Sequence, residues 1–187
     1  YCISLKTSHP IADVRLKAAL NRWLPLSIAV LDCEEADIDF HARYSCTSKE
    51  YIYKIWNTEV RNPFLDGYAL HYRYKLDEDM LNSAAQAYVG THDFTSFCTL
   101  DSREKGDMTR TVKAFSVTRE GNLVTMKVEA DGFLYNMVRI MVGTLLRIQQ
   151  GKIPVDGIAG IIEKKDRKFA GPTAQPCGMY LNSVNYD

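Results

Sequence analysis

The fold is organised around residues 39–56, which open with Asp39-Phe40-His41-Ala42-Arg43-Tyr44 and continue through Tyr51-Ile52-Tyr53. The stretch begins as a polar cluster and continues as a strand to Trp56. Because side chains alternate along a strand, one face would carry Arg43, Lys49, Tyr51 and Tyr53. Two cations and two tyrosines on one face indicate a surface that meets phosphates and stacks on a base. An ordinary exposed face of an antiparallel strand would look similar.

The composition is typical of a globular protein with a hydrophobic core. Of the 187 residues, 46% are hydrophobic and 25% are charged, and the formal net charge is zero. A neutral chain argues against a dedicated nucleic-acid binder, although the location of charge matters more than its sum. No apolar run is long enough to span a bilayer and no secretory signal is recognisable, so we expect a cytoplasmic protein without membrane contact.

The cysteines and histidines give little sign of a special site. The five cysteines are scattered without a C-x-x-C pair, which fits reduced thiols better than disulfides. The four histidines show no spacing typical of metal ligands. We therefore expect no metal, and a cysteine-dependent hydrolase is only a weak alternative.

The first part of the chain predicts a small β-α-β piece. Residues 2–6 and 27–31 have strand-like patterns, and residues 11–23 have the periodicity of a helix that Pro25 ends. A piece of this size buries too little apolar surface to fold alone. We therefore interpret residues 1–38 as the remnant of an N-terminal α/β domain, with a second domain over residues 39–187.

The second domain predicts an α+β fold. Local patterns indicate a strand at 68–74, a helix at 78–89 with Asp77 as N-cap, a compact turn at 92–97 and a charged loop at 101–110. They continue with a hairpin at 111–119 and 122–130, helices at 132–150 and 154–165, and a strand at 178–186. This order predicts a mostly antiparallel mixed sheet with helices packed on one face.

Arg139 lies in the middle of the helix predicted at 132–150, which is apolar all round and should be buried. A buried guanidinium cannot lose its charge, so it needs a carboxylate or an anionic ligand. The pattern leaves two interpretations open. Arg139 could serve a binding or catalytic site, or it could reach the surface or pair with a structural acid such as Asp131 or Glu129.

A series of short motifs occurs in a fixed order along the chain. The motifs are Asn21-x-x-Leu24-Pro25, Asp39-Phe40-His41-Ala42-Arg43-Tyr44-Ser45, Tyr51-x-Tyr53, Gly90-x-His92-Asp93-Phe94, Thr109-Arg110-Thr111-Val112, Gly132-Phe133-Leu134-Tyr135-x-Met137-Val138-Arg139-x-x-Val142-Gly143, Lys165-Asp166-Arg167-x-x-Ala170-Gly171-Pro172-Thr173-Ala174 and Gly178-Met179-Tyr180-Leu181. Each alone would be weak evidence. In series they resemble the TruA-type tRNA pseudouridine synthases over almost the whole chain.

The resemblance implies a pseudouridine synthase-like fold and an isomerase activity. The substrate would be uridine at positions 38 to 40 of the tRNA anticodon stem-loop, and the product would be pseudouridine. The reaction would use an aspartate nucleophile and no metal or organic cofactor. The protein would work as a homodimer, with residues 39–187 as the catalytic domain.

The resemblance also implies roles for particular side chains. Tyr51 stands where the family has a tyrosine that stacks on the flipped base and could move the proton from ring carbon. Arg139 stands where the family has the arginine that keeps the nucleophilic carboxylate ionised. Met179 and Leu181 fall in a Gly-Leu-Tyr-Leu segment that lines the pocket, where Met179 replaces the usual Leu. The other expected substrate-binding residues are Arg43, Lys49 and Tyr53.

One family motif has no counterpart. The nucleophilic aspartate of the family lies in an Arg-Thr-Asp-x-Gly-Val-His loop, which this sequence does not contain. In the family that loop precedes the segment corresponding to Tyr1, so we expect this polypeptide to be truncated and inactive alone. The alternative interpretation is a non-catalytic RNA-binding or dimerisation module with the same fold.

Overall fold

The computed structural model describes residues 1–99 and 106–186, which fall into two units. The first unit is Cys2–Ser45, and the second comprises Cys46–Asp187 together with Tyr1. The predicted domain boundary after residue 38 is not tested by this division and stays a prediction. In the described residues no helix has both the length and the apolar character needed to cross a membrane.

The first unit contains one helix, α1 (Asp13–Trp23), which ends before Pro25 as predicted. The strands predicted at residues 2–6 and 27–31 are wrong, because neither segment forms a ladder. The side chain of Asn21 instead makes the two bonds that a neighbouring strand would make. Its Oδ1 accepts from the Val30 amide at 2.8 Å, and its Nδ2 donates to the Val30 carbonyl at 2.9 Å.

The second unit is built on a six-stranded sheet. Its strands are β1 (Cys46–Trp56), β2 (Leu70–His71), β3 (Gly90–Asp93), β4 (Thr109–Glu120), β5 (Leu123–Ala130) and β6 (Met179–Tyr186). The order is β2-β1-β5-β4-β3, and β6 pairs with β1. Only the β1–β2 pair is parallel, so the sheet is mixed and mostly antiparallel. The predicted α+β class is confirmed.

Three predicted segments differ in detail. The strand predicted at 68–74 shortens to the two residues of β2, since only Ile55 and Trp56 of β1 pair with it. The turn predicted at 92–97 begins inside β3, and a 3-10 turn follows at Thr95–Phe97. Part of the charged loop predicted at 101–110 lies outside the described residues, and its end already belongs to β4.

The described residues of the second unit form three α-helices: α2 (Glu78–Ala85), α3 (Met137–Gln149) and α4 (Gly157–Lys164). The predicted N-cap is confirmed, because Asp77 Oδ1 accepts from the Met80 amide at 2.9 Å. Helix α3 starts five residues later than predicted. Asn136 has a φ of 63°, and a left-handed residue cannot continue a right-handed helix.

The core lies between one face of the sheet and the helices. Tyr53 of β1 pairs with Met126 of β5, which pairs with Val117 of β4, and all three side chains are buried. Ile55 is also fully buried. The exposed platform predicted for this face of β1 is therefore wrong beyond Tyr51. The alternation of side chains along β1 correctly grouped Tyr51 and Tyr53 on one face. The apolar partners on β4 and β5, however, make that face part of the core.

Candidate active site

Tyr51 is half-buried on β1, at the edge of the core. Its cross-strand partners are Val128 on β5 and Leu181 on β6. Its ring meets the Phe133 ring edge-on, with centroids 5.1 Å apart. Among the described residues its hydroxyl has no hydrogen-bond partner. Burial raises the pKa of Tyr51, so the hydroxyl stays protonated at neutral pH.

Tyr53 lies two residues further along the same strand and pairs with Met179 of β6. Its side chain is fully buried, and its hydroxyl donates to the Gln175 carbonyl at 2.6 Å. Gly178 permits this packing, because a Cβ there would lie 2.4 Å from the Lys54 carbonyl. The hydroxyl of Tyr53 is therefore committed to a structural contact, and its predicted role in substrate binding remains a prediction.

Arg139 is half-buried on α3 and is held by neutral acceptors. Its Nε donates to the Ala174 carbonyl at 2.7 Å, and its Nη1 donates to Asn136 Oδ1 at 3.0 Å. No described carboxylate forms an ion pair with it, and none of these bonds uses Nη2. The guanidinium thus keeps its full charge and a free donor edge.

The structural acids considered for Arg139 have other partners. Asp131 Oδ1 accepts from the Thr111 amide at 2.9 Å, and Glu129 Oε1 accepts from the Ser48 hydroxyl at 2.7 Å. The pairing of Arg139 with either acid does not form. Pairing with these acids is therefore excluded, and a role of Arg139 in a binding or catalytic site stays a prediction.

The loop after α4 is pressed directly against α3. A Cβ at Gly143 would lie 1.7 Å from the Pro172 carbonyl oxygen, and one at Gly171 would lie 2.5 Å from the Gly143 oxygen. The buried Thr144 hydroxyl accepts from the Gly171 amide at 2.9 Å. This close contact positions the Ala174 carbonyl to accept the hydrogen bond from Nε of Arg139.

The same loop ties α3 to β1. Ala174 bonds Arg139 twice, since its amide also donates to the Arg139 carbonyl at 3.1 Å. The next residue, Gln175, holds the Tyr53 hydroxyl. The guanidinium lies near enough to that hydroxyl to counter part of the rise that burial causes in the pKa of Tyr53. The adjacent carbonyls of Ala174 and Gln175 therefore attach α3 and β1, which carry the site, to the same loop.

The remaining predicted residues are placed differently. Lys49 is half-buried on the same face as Tyr51, and among the described residues it has no hydrogen bond or ion pair. Arg43 belongs to the first unit, is exposed, and lies 5.7 Å from the Tyr44 ring. Both remain predicted contacts to substrate.

The second unit brings Tyr51, Tyr53, Arg139, Met179 and Leu181 onto neighbouring elements. Sequence reasoning missed Asn136, Ala174 and Thr144. The Gly171-to-Ala174 motif signalled that the loop matters, but no local pattern reveals which carbonyl meets Arg139. Among the described residues no group of His, Cys, Asp or Glu is arranged to hold a metal ion.

The arrangement can bind an anion and hold a planar group. A guanidinium with neutral partners attracts a carboxylate and lowers its pKa. The edge of Tyr51, with Leu181 beside it, offers an aromatic and apolar wall for a base. The protonated hydroxyl of Tyr51 can donate to that base or relay a proton.

Comparisons with known proteins show what the chain is similar to. A family model described as tRNA pseudouridine synthase matches residues 84–187. The tRNA pseudouridine synthase A of Geobacillus sp. (strain WCH70) is 46% identical over 185 residues, which cover 99% of this chain and 74% of the relative. The proteins of the same name from Caldicellulosiruptor bescii and Acetivibrio thermocellus are 42% and 43% identical, over 98% and 96% of this chain and 75% and 73% of their own lengths.

Proposed function

Because the chain belongs to the tRNA pseudouridine synthase family, an isomerase family, we propose that it converts uridine to pseudouridine in the anticodon stem-loop of tRNA. The observation that carries the proposal is the state of Arg139. Its guanidinium is half-buried, has only neutral acceptors, and keeps Nη2 free. A half-buried guanidinium that lies near the Tyr53 hydroxyl and has no described acidic partner is suited to hold a reacting carboxylate.

The reaction moves the attachment of the base from nitrogen to carbon. The bond from N1 of the base to C1′ of the ribose breaks, and a bond from C5 to C1′ forms. The proton on C5 is then lost, and N1 gains one. A uridine inside a stem must first leave its stack, and the wall formed by Tyr51, Phe133 and Leu181 can receive it.

Tyr51 is the proposed group for proton transfer at C5. Its hydroxyl has no partner among the described residues, and burial keeps its pKa raised. A protonated phenol can donate to the base during detachment and relay the C5 proton once the new bond has formed. Stacking on the base and proton transfer would then come from the same side chain.

The nucleophile is proposed to be a carboxylate that docks on Nη2 of Arg139. None of the aspartates in the printed sequence lies in the family's Arg-Thr-Asp context, and no described one pairs with Arg139. We propose that none of them is the nucleophile. Residues 1–187 alone are then expected not to convert uridine.

The proposal extends to the residues that contact tRNA and to the oligomeric state. Lys49 and Arg43 would meet tRNA phosphates, since both side chains are cationic and Arg43 is exposed. We also propose that the protein is cytoplasmic and forms a homodimer. The support for the homodimer is a set of exposed apolar side chains within residues 60–74, namely Val60, Phe64, Tyr68 and Tyr74. Sedimentation analysis of the purified protein would measure the oligomeric state.

Tritium release tests the proposed reaction. A tRNA transcript labelled at C5 of its uridines is incubated with the complete gene product, and tritium released into water is counted. We expect release that stops at a stoichiometry set by the anticodon-arm uridines. A matched transcript with cytidine at those positions should release only background, and equal release from both transcripts would overturn the assignment of the site.

A further inference from the structure

Asn136 has an unusual backbone conformation at the start of α3. Its φ of 63° and ψ of 7° lie in the left-handed region. Asn136 and Lys165 are the non-glycine residues with positive φ in the described part of the chain. Asparagine tolerates this region better than most residues, but the conformation still needs other contacts to hold it.

The side chain of Asn136 makes a bond at each end of its amide. Its Oδ1 accepts from Nη1 of Arg139 at 3.0 Å, and its Nδ2 donates to the Thr99 hydroxyl at 3.2 Å. A guanidinium has donors and no acceptor, so only the oxygen of the amide can face Arg139. The orientation of the amide is thereby fixed.

Two bonds on different nitrogens fix the plane of the Arg139 guanidinium. The Ala174 carbonyl holds Nε, and Asn136 holds Nη1. We infer that Asn136 is a positioning residue that aims Nη2 of Arg139 at the reacting carboxylate. The inference rests on the proposed function for the identity of that carboxylate, but the hold of Asn136 on Arg139 does not depend on it.

The choice of an amide has a further consequence. An aspartate at position 136 would also accept from Nη1, and it could also adopt the left-handed conformation. Its negative charge, however, would neutralise the guanidinium and compete with the nucleophile. An asparagine supplies the acceptor without the charge, so Arg139 is held in place and still attracts an anion.

Three variants of the complete gene product separate these effects. Asn136→Gly keeps the left-handed backbone without strain but removes the acceptor. Asn136→Asp keeps the acceptor and adds the charge. Lys165→Gly is the control, since it relaxes the other left-handed residue and removes only the ion pair of Lys165 with Asp93, leaving the bonds of Arg139 intact.

The first readout is turnover on anticodon stem-loop RNA. We expect kcat to fall about tenfold or more in Asn136→Gly with KM nearly unchanged, because RNA binding does not depend on the aim of Nη2. Asn136→Asp should lose at least as much, and Lys165→Gly should keep the turnover of the wild type. A purely structural role would instead lower the melting temperature of Asn136→Gly and leave kcat per folded molecule unchanged.

The second readout does not need activity. The Nη1–H signal of Arg139 in proton–nitrogen NMR spectra, assigned by its loss in Arg139→Lys, should exchange slowly with water in the wild type and in Asn136→Asp, because Nη1 is the nitrogen that Asn136 holds. It should exchange faster in Asn136→Gly. Unchanged exchange in Asn136→Gly would overturn the positioning role. Absence of turnover in the wild type would instead count against the proposed function.

Discussion

Arg119 and Arg139 are both partly buried arginines of the second unit, but their surroundings differ. Arg119 forms an ion pair with Glu78, with 2.9 Å between Nε and Oε2. Its Nη2 donates to Asn57 Oδ1 at 3.0 Å and to the Leu76 carbonyl at 2.9 Å. Arg139 is held by one carbonyl and one amide, and among the described residues it has no acid.

We propose that this difference separates an arginine that stabilises the fold from one that serves a reaction. Around Arg119 the charge is neutralised and the donors tie the end of β1 to the start of α2. Around Arg139 the acceptors fix geometry but leave the charge available. Burying a cation without neutralising it is unfavourable for folding, so the arrangement at Arg139 is best explained by an anion that binds there.

The largest expected effect is the loss of pseudouridine formation when the guanidinium of Arg139 is removed. Arg139→Leu should reduce pseudouridine formation by about 10³-fold or more, because the nucleophilic carboxylate loses its partner. Its stability should change little or rise, since an unneutralised cation leaves the interior. Turnover assays and thermal denaturation of the same preparation measure both.

Arg119→Leu should show the opposite pattern. The loss of its bonds to Asn57 and Leu76 should lower stability by about 1–3 kcal/mol, with turnover of the folded protein retained. Urea denaturation measures this loss. If Arg139→Leu were the destabilised variant and Arg119→Leu the inactive one, the distinction between the two arginines would be reversed.

The two tyrosines of β1 extend the comparison to hydroxyl groups. Tyr51→Phe should lower kcat by about 10²-fold or more while tRNA binding is retained, because the ring survives and the proton-transferring hydroxyl does not. Tyr53→Phe should cost about 1 kcal/mol, since the Gln175 carbonyl loses its donor, and should keep most turnover. Unchanged turnover in Tyr51→Phe would remove Tyr51 from proton transfer.

A methyl group added at Gly143 of α3 should displace the loop whose Ala174 carbonyl holds Arg139, and it should leave the contacts of Arg119 unchanged. In Gly143→Ala the new Cβ would lie 1.7 Å from the Pro172 carbonyl oxygen, so the loop carrying Ala174 must shift. We expect a loss of about 1–3 kcal/mol in stability together with reduced turnover.

Gly160→Ala is the matched control for this substitution. Gly160 lies in α4, and no atom would lie within 4 Å of the added Cβ. The free energy of unfolding should rise by about 0.5–1 kcal/mol, because alanine is the better helix former. Equal effects at the two glycines would mean that the loop does not depend on its close contact with α3.

The smallest expected effect is the response of stability to pH, which should appear at Arg119 and not at Arg139. The start of α2 and the bond from Arg119 hold the pKa of Glu78 below its usual value. A lowered folded-state pKa stabilises the protein above the unfolded pKa of about 4.3, and this contribution is lost as pH falls through the folded value. The melting temperature of the wild type should therefore exceed that of Glu78→Gln near neutral pH, with the difference vanishing in acid.

The same measurement on Arg139→Leu gives the other half of the comparison. Arg139 has no described carboxylate partner, so the difference in melting temperature between that variant and the wild type should not depend on acid pH. A difference that disappears as pH falls would reveal a carboxylate that stabilises Arg139 in the free protein.

Local signals predicted much of the fold. The hairpin of β4 and β5 followed from alternation around Gly121, and the start of α2 followed from Asp77. The strands expected at residues 2–6 and 27–31 do not form, and at Val30 the side chain of Asn21 makes the bonds that a partner strand would make. Tyr53 was expected on an exposed surface, and only pairing with β5 shows that its face points inward.

The site was only partly predictable. Resemblance to a family pointed to Tyr51, Arg139, Met179 and Leu181. Pairing of β1 with β6 places Leu181 opposite Tyr51 and Met179 two residues away on the same strand. The partners of Arg139 could not be predicted, because the Ala174 carbonyl and the left-handed Asn136 acquire their roles only in the folded chain.

The most direct test of the central claim maps pseudouridine in tRNA treated with the complete gene product, wild type beside Arg139→Leu. Carbodiimide modification followed by primer extension locates each pseudouridine. The wild type should give stops in the anticodon stem-loop, and Arg139→Leu should give none at equal folded concentration. Equal stops with both proteins, or none with the wild type, would contradict the assignment of Arg139 as the partner of the reacting carboxylate.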